Sequence, residues 1–429
     1  MRRRLFASLA LAAAGSGAAA QGLPEPLLSA AITQSFVADT NFNLSNRDPG
    51  TSYYGDTRLV LGLLNETPTQ TLTLGLDTGL RALWQAEEDF ELTFASPSTA
   101  RVGYIQDWSS GTADTYLRYR QRDVDSTSLE FIDEDIDGAI DDIREIDQNG
   151  TERRYDGGFD LEVATDSPSS YEFNFVGTRF DYSGDSEDRT PRTTLAGDAL
   201  WILELNPVVS GTVGAGYSYY DADNPQQTEI RQGDIDFGVI YDRSEILQLR
   251  FGVGYATYTR EQLVQGTRET INDDNGYVVR GGLRYAFEEV TVEANLRLSD
   301  AAPETRLSGD VRAVYPLPRG SITGRVFQRY GGGDTGEEIR VSGAAIGLQR
   351  EINTVSQLGF NVSAARQENL DTDEADTDRL NFTATYSRNL TEVVSANVGY
   401  RFRSRDQDPE SADSNAVFFE IARSFETRP

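Results

Sequence analysis

Residues Gln70–Trp84 read QTLTLGLDTGLRALW, and their large apolar side chains recur at every second position. Four of the leucines and Trp84 share one parity, whereas threonine, glycine, Asp77 and Arg81 occupy the other. A period of two predicts a β-strand that has one apolar face and one polar face. The preceding stretch, Thr57–Leu63, alternates in the same way, and a short polar segment joins the two. We therefore predict a long antiparallel hairpin.

The same alternation recurs along the rest of the chain, and the connections between the strand-like stretches are alternately short and long. This pattern is typical of bacterial outer-membrane barrels, whose lipid-facing and lumen-facing residues alternate. We predict an all-β fold, a transmembrane antiparallel up-and-down β-barrel of about 20 strands, with a range of 16 to 20. Short periplasmic turns and long extracellular loops would join the strands.

The composition agrees with a barrel even though the chain is polar on average. Only 38% of the 429 residues are hydrophobic, and no apolar run long enough for a transmembrane helix follows the N-terminal region. Alternating strands average out as polar, so hydropathy does not detect them. The polar parity is rich in threonine, glycine, asparagine, aspartate and arginine. Such residues suit a water-filled lumen better than the packed core of a soluble sheet.

The N-terminal residues predict an export signal. Met1–Arg4 is basic, Leu5–Ala14 is apolar, and three alanines precede Gln21. This order predicts a secretory signal peptide over residues 1–20 that is cleaved on export. A short membrane anchor is the alternative. Because no linker or shift in composition follows, we expect residues 21–429 to form the barrel as a single domain.

Charge and composition argue against several functional classes. The formal net charge of −30 gives no basic surface for nucleic acid. The chain has no His, so it lacks the imidazole base of serine–histidine hydrolases and omptin-like proteases. Two carboxylates could still act as acid and base, but no pair stands out by motif. We therefore expect no enzymatic activity.

Charged residues on the polar parity are the candidate functional residues. They can select polar and charged solutes, as charged rings do in pores, or they can pair with one another and only stiffen the wall. The row Arg118, Arg120 and Arg122 would repel itself unless anions or carboxylates meet it. We predict that the following residues line the pore: Asp77, Arg81, Arg118, Arg120, Arg122, Asp160, Glu162, Asp234, Asp236, Arg250, Arg280, Arg284, Glu293, Arg297, Arg401 and Arg403.

The longest connection contains an acidic motif. The segment Asp133–Asp141 reads DEDIDGAID, with Asp133, Asp135, Asp137 and Asp141 at loop positions one, three, five and nine and glycine at six. This spacing resembles an EF-hand calcium loop. Arg144 stands where the closing glutamate belongs. The segment is either a weak Ca²⁺ site, a divalent bridge to lipopolysaccharide phosphates or a solvated acidic loop; we expect no other cofactor.

Three further expectations concern local structure. The stretch Tyr171–Tyr182 changes its apolar parity midway, which predicts a β-bulge. Residues 260–275 are polar and predict an extracellular loop. Aromatic residues near strand ends, among them Trp84, Trp108 and Trp201, are expected to form girdles at the two membrane interfaces.

These features together resemble a Gram-negative outer-membrane β-barrel over the entire chain. More narrowly, the stretch Ile32–Asp48, ITQSFVADTNFNLSNRD, followed by the leucine-rich hairpin, resembles the β-barrel porins associated with exopolysaccharide secretion. The resemblance implies residence in the cell outer membrane, and its narrower part suggests a role in exopolysaccharide export. The charged lumen leads us to expect passive diffusion of small polar or charged solutes. An exopolysaccharide conduit and a non-conducting structural barrel are the alternatives. The implied partners are outer-membrane lipids, lipopolysaccharide, the barrel insertion machinery and the solutes or polysaccharide.

Overall fold

The computed structural model describes residues 26–42, 44, 50–85, 90–94, 97–123, 151–183, 190–244, 246–287, 289–302, 305–332, 338–370, 375–407 and 409–427. Within these ranges the chain forms one antiparallel sheet of 21 strands. No helix in the described ranges is long and apolar enough to cross a membrane.

The strands follow one another along the chain with few irregularities, as the alternating sequence requires. They are β1 (Leu27–Asp39), β2 (Ser52–Thr67), β3 (Gln70–Trp84), β4 (Glu91–Phe94), β5 (Ser98–Trp108), β6 (Gly111–Asp123), β7 (Thr151–Val163), β8 (Ser169–Ser183), β9 (Arg192–Asn206), β10 (Val209–Ala222), β11 (Glu229–Ser244), β12 (Leu247–Val264), β13 (Thr267–Phe287), β14 (Val290–Ser299), β15 (Arg306–Leu317), β16 (Gly320–Gly332), β17 (Glu338–Asn353), β18 (Ser356–Asn369), β19 (Thr377–Asn389), β20 (Val394–Gln407) and β21 (Glu410–Thr427).

The sheet closes on itself. β1 pairs with β21 from Leu28 opposite Thr427 to Asp39 opposite Ala416, and it pairs with β2 on its other side. The short β4 pairs with Leu80–Leu83 at the end of β3, and β5 pairs with Gln70–Asp77 of the same strand. β4 and β5 therefore form one interrupted strand of the ring. Twenty strands of the described chain therefore form a closed ring, and the predicted barrel is confirmed. Among the described strands, closure pairs both edges of each strand within the apolar belt, as lipid requires.

The two ends of the barrel differ. The start of β1, the end of β21 and two-residue turns such as Pro68-Thr69 lie at one end. Most of the longer connections lie at the other end. In outer-membrane barrels the short turns face the periplasm and the longer loops face outward. We use the terms periplasmic end and extracellular end in this sense.

The apolar parity of each strand faces outward. On β3, Leu74 and Leu80 are 40% and 51% exposed, whereas Arg81 on the opposite parity is 6% exposed. Exposed phenylalanines and leucines continue this belt around the ring. Because an apolar belt of this extent is stable only against lipid, the outer face is the membrane face. Exposed aromatic side chains border the belt at its extracellular edge (Trp84, Tyr217, Tyr255) and at its periplasmic edge (Trp108, Trp201, Tyr285).

The predicted bulge in β8 is wrong. β8 pairs with β7 and with β9 without a register shift. Phe180 instead faces the interior, where it is 5% exposed, with the Arg154 and Arg192 guanidiniums 5.3 and 4.5 Å from its ring centroid. The parity changes because the inner wall is packed near the extracellular end and accepts apolar side chains there. Sequence alternation alone does not distinguish such a change from a bulge.

The predicted loop over residues 260–275 is also wrong. β12 and β13 run through this region as paired strands with one register shift at Arg260, and only Gln265-Gly266 form the turn. Both turn residues have positive φ, 50° and 82°. The hairpin rises above the apolar belt, where both of its faces are polar. Because both faces of the hairpin carry polar side chains, this part of the sequence shows no alternation of apolar and polar residues.

Candidate functional site

The inner wall of the barrel is the candidate functional site. All sixteen residues predicted to line the pore lie on the parity opposite the exposed apolar belt, so their side chains belong to the interior face. That they line a conducting pore stays a prediction. The structure adds what the sequence could not supply, which is how these charges are paired.

Solvation of the wall changes along the barrel axis. Near the periplasmic end, the Arg284 and Glu293 side chains are 66% and 50% exposed, and their closest charged atoms are 3.6 Å apart. Near the extracellular end, charged side chains such as Asp39 and Arg403 are buried. The periplasmic half is thus open to water, and the extracellular half is narrowed by packed, ion-paired side chains.

One group of charges lies where the ring closes, and we call it the seam cluster: Asp39, Asn41, Phe42, Arg403 and Ser414. Arg403 Nη2 donates hydrogen bonds to Asp39 Oδ2 and to the Phe42 carbonyl, both at 3.0 Å. The Ser414 hydroxyl donates to Asp39 Oδ1 at 2.5 Å, and the backbone N–H of Asn41 donates to the same oxygen at 3.1 Å. These bonds hold Asn41 and Phe42, which follow β1, in buried positions at the inner wall.

The inward turn is packed as well as hydrogen-bonded. The Phe42 ring lies 5.1 Å from the Tyr54 ring in an edge-on contact, and Leu83 completes a small buried apolar cluster. The Arg81 guanidinium lies 4.5 Å from the Tyr54 centroid, and its Nε and Nη2 donate to the two Asp56 oxygens at 2.7 and 2.8 Å. This bidentate ion pair holds the Arg81 side chain in one position. The packed group narrows the extracellular half of the lumen.

The partners of Arg81 and Asp77 were missed at the sequence level. Asp56 pairs with Arg81, and Arg58 pairs with Asp77 through contacts of 3.1 and 2.8 Å. Both missed residues lie on the polar parity of β2, and Asp56 is directly opposite Arg81 in the pairing with β3. Parity counting applied to that strand would have identified them.

The arginine row on β6 is met by carboxylates from β7, as its self-repulsion requires. Arg118 pairs with Asp156 at 3.0 Å, and Arg122 pairs with Glu152 at 2.9 Å. Arg154 on β7 also contacts Asp156, at 2.6 Å. Asp156 and Glu152 are buried, so their charges are compensated by these arginines rather than by water. Glu152 was not among the residues predicted to line the pore, although it lies on the polar parity of β7.

A third group, the central cluster, comprises Asp234, Asp236, Arg280 and Arg297. Arg280 pairs with Asp234 through one nitrogen and with Asp236 through the other, the latter at 3.1 Å. Arg297 reaches Asp234 at 2.7 Å. Glycines on the neighbouring strands leave room for these carboxylates: a Cβ atom added to Gly214 would lie 2.7 Å from Asp236 Oδ1.

Two cavities adjoin this part of the wall. One, of about 530 Å³, lies in the extracellular half between β8 and β17. The other, of about 430 Å³, includes Asp236, Arg250 and Arg280 in its lining. Both cavities share Arg297, Ser308 and Arg329. The two spaces therefore adjoin each other on the same side of the lumen.

A separate ion pair lies at the extracellular strand ends, outside the membrane-crossing part. Arg366 Nε and Nη2 donate to the Asp378 carboxylate at 2.7 and 2.5 Å. These hydrogen bonds stabilise the charged form and hold the pKa of Asp378 below its ordinary value.

The possible calcium ligands Asp133, Asp135, Asp137 and Asp141 lie outside the described residues. Among the residues that are described, no group of three or more histidine, cysteine, aspartate or glutamate side chains could hold a metal ion.

Comparison with known proteins supports the fold. No protein-family model and no curated protein matches the chain. The ferric enterobactin receptor PfeA from Pseudomonas aeruginosa is similar over 95% of this chain and 81% of its own, at 9% identity and a TM-score of 0.50. The copper transporter OprC is similar over 94% and 81%, at 9% identity and a TM-score of 0.51. The FrpB iron transporter from Neisseria meningitidis is similar over 94% and 81%, at 8% identity and a TM-score of 0.50.

At these identities the likeness concerns the fold alone. The three proteins are named as a receptor and as transporters rather than as enzymes. The closed ring of strands, the apolar outer belt and the aromatic girdles make this chain a β-barrel of the Gram-negative outer membrane.

Proposed function

We propose that the chain forms a water-filled channel through which small polar or charged solutes diffuse across the outer membrane. The observation that carries this proposal is the charged inner wall, which has both signs of charge and is open to water in its periplasmic half. If the inner wall only stabilised the barrel, apolar packing would do so better than ion pairs, since burying ion pairs gains little stability.

The paired charges suggest how the channel would select its solutes. In the central cluster, Arg280 and Arg297 stand beside Asp234 and Asp236, so a solute passing along the wall meets both signs within a few ångströms. Such a field orders water and lets an ion exchange part of its hydration shell for side-chain contacts. The seam cluster, which includes Phe42, narrows the path on the opposite side of the lumen. Together these features favour small solutes over large ones.

Single-channel recording in planar lipid bilayers tests the proposal. The purified, folded barrel is expected to give stable current steps whose size rises with salt concentration, and a heat-denatured sample is the control. A barrel that inserts but carries no current would be a non-conducting structural barrel. A current that only an added polysaccharide blocks would favour the exopolysaccharide conduit, which otherwise rests on the resemblance of Ile32–Asp48 alone. Either result would overturn the proposal.

A further inference from the structure

The periplasmic edge of the membrane face carries a backbone mark that allows its strands to be compared. On strands that run toward the periplasm, one backbone N–H donates to a carbonyl in the turn of the neighbouring hairpin. On β9, β11, β13, β17, β19 and β21 these N–H groups belong to Glu204, Asp242, Ala286, Glu351, Asn389 and Ser424. The residues directly before these donors therefore occupy equivalent positions along their strands.

The side chain at this equivalent position changes around the ring. On β9, β11 and β13 it is apolar or aromatic: Leu203, Tyr241 and Tyr285. On β17, β19 and β21 it is an arginine, and we call this group the periplasmic arginines: Arg350, Arg388 and Arg423. All three share the outward parity of their strands and are exposed. One side of the barrel thus presents a row of cations to the lipid where the other side presents apolar groups.

Apolar side chains bracket each of these cations along its strand. Two residues before them, on the same outward parity, stand Leu348, Tyr386 and Ile421. Two residues after them, toward the periplasm, stand Ile352, Leu390 and Phe425, which are 45%, 54% and 43% exposed. The Arg423 guanidinium lies 4.7 Å from the Phe425 ring centroid. The periplasmic arginines therefore lie within the apolar edge rather than beyond it.

The protein does not neutralise these three cations within its described part. No described carboxylate forms an ion pair with any of the periplasmic arginines. Three arginines on the outward parity near the extracellular end are paired instead: Arg179 with Asp181, Arg340 with Glu368 and Arg366 with Asp378. A cation at the edge of the hydrocarbon is costly unless an anion meets it, so the periplasmic arginines need a partner from outside the chain.

The lipid headgroup supplies the anion that fits this position. Phosphates lie at the boundary between hydrocarbon and water, and a guanidinium binds a phosphate through two parallel hydrogen bonds. Because β17, β19 and β21 are alternate strands, neighbouring arginines in the row are about 10 Å apart across the sheet. The exposed apolar side chains beside them would contact acyl chains, which a free phosphate ion lacks.

We propose that the periplasmic arginines bind the headgroup phosphates of anionic phospholipids in the periplasmic leaflet. The phosphate oxygens accept hydrogen bonds from the guanidiniums, and the acyl chains pack along the apolar outer face of β17 to β21. The whole chain carries a net charge of −30 and would otherwise repel such lipids. The proposal requires the membrane barrel but does not depend on conduction through it.

Native mass spectrometry of the detergent-solubilised, folded barrel tests the proposal. The barrel is titrated with dioleoylphosphatidylglycerol and, separately, with dioleoylphosphatidylcholine, which has the same acyl chains and no net charge. We expect phosphatidylglycerol to bind at least about tenfold more tightly, because its phosphate has no ammonium group of its own beside it. Equal binding of the two lipids would overturn the proposal.

Two triple variants tie the binding to this row. Arg350→Gln, Arg388→Gln and Arg423→Gln together should weaken phosphatidylglycerol binding at least about tenfold, since charge-assisted hydrogen bonds are lost. Arg179→Gln, Arg340→Gln and Arg366→Gln together are the matched control, because they remove three outward arginines that carboxylates already hold. This control should bind the lipid as the wild type does. Equal losses in the two triple variants would overturn the proposal.

Folding and free anions are controlled separately. Both triple variants must migrate as folded barrels, and Arg388→Gln alone, in the middle of the row, should weaken binding in the same direction. Millimolar inorganic phosphate should leave the lipid bound, because it makes no contact with the apolar side chains. Displacement of the lipid by inorganic phosphate would make the row a site for free anions and overturn the proposal. Lipid binding is measured without current, so its failure is distinct from failure of the channel.

Discussion

Arg403 donates a 3.0 Å hydrogen bond to Asp39 although the two residues are 364 positions apart in the chain. Asp39 ends β1 and Arg403 lies on β20, so the bond spans β21, the strand that closes the ring. Both side chains are buried. The contact therefore joins the first and last parts of the barrel from the inside and, through Phe42, shapes the extracellular half of the lumen.

Arg403→Met should destabilise the folded barrel. It removes the closer of the two cations beside the buried Asp39 carboxylate and leaves only Arg401, 4.0 Å away. Breaking a buried pair costs about 3–5 kcal/mol. Urea unfolding in lipid vesicles measures the change. Arg284→Met is the matched control, because the Arg284–Glu293 pair is exposed and such pairs contribute about 0–1 kcal/mol. Similar unfolding of the two variants would show that the seam pair does not stabilise the ring.

Leu74→Arg should impair insertion, because Leu74 lies on the lipid face. An arginine near the bilayer midplane costs about 2–4 kcal/mol in a transmembrane barrel. Thr73→Arg is the control, since Thr73 precedes Leu74 in β3 and lies on the interior face. Folding into vesicles, followed by protease protection, compares the two. If Leu74→Arg inserts as well as Thr73→Arg does, the assignment of inside and outside is wrong.

The double substitution Asp234→Asn and Asp236→Asn should shift ion selectivity several-fold toward anions. It removes two negative charges from the central cluster and leaves Arg280 and Arg297 in place, so the local field becomes positive. The reversal potential across a salt gradient measures the shift. Asp378→Asn is the control, because it changes a charge at the extracellular rim. An unchanged reversal potential in the double variant would exclude the central cluster as a selectivity element.

Gly214→Val should displace the Asp236 carboxylate. The new Cβ would lie 2.7 Å from Asp236 Oδ1, and overpacking of this kind costs about 1–3 kcal/mol. Gly347→Val is the matched control, because Gly347 also lies on the interior face and no atom lies within 4 Å of its added Cβ. Urea unfolding of both variants compares them. Equal stability would mean that the Asp236 side chain moves aside without cost.

Calcium should protect the loop over residues 124–150 from protease if Asp133, Asp135, Asp137 and Asp141 bind the ion. Digestion with and without millimolar calcium, followed by identification of the fragments, measures protection. Asp135→Asn combined with Asp137→Asn should abolish it. The acidic segment at residues 371–376, between β18 and β19, lacks this spacing and serves as an internal control. Cleavage at the same rate with and without calcium would leave the segment as a solvated loop.

The sequence predicted correctly the features that follow from the alternation of apolar and polar residues along a strand. Leu74 and Asp77 were assigned to opposite faces of one strand, and the structure places them so. The ring of twenty strands follows from the same alternation and from the short and long connections. The period failed where both faces have the same character: on β8, where Phe180 faces a packed interior, and at the tip of the β12–β13 hairpin, where both faces are polar.

By itself, the sequence determined that the chain is a membrane barrel and, on the strands that alternate, which side chains face its interior, because alternation is a local property of each strand. Only the tertiary structure decided which charges pair and where space remains between them. Arg403 meets Asp39 because the ring closes between β21 and β1 in one register, and the cavity exists because strands from β8 to β17 bring arginines and aromatic rings together. These relations depend on register and curvature, which no single strand of the sequence contains.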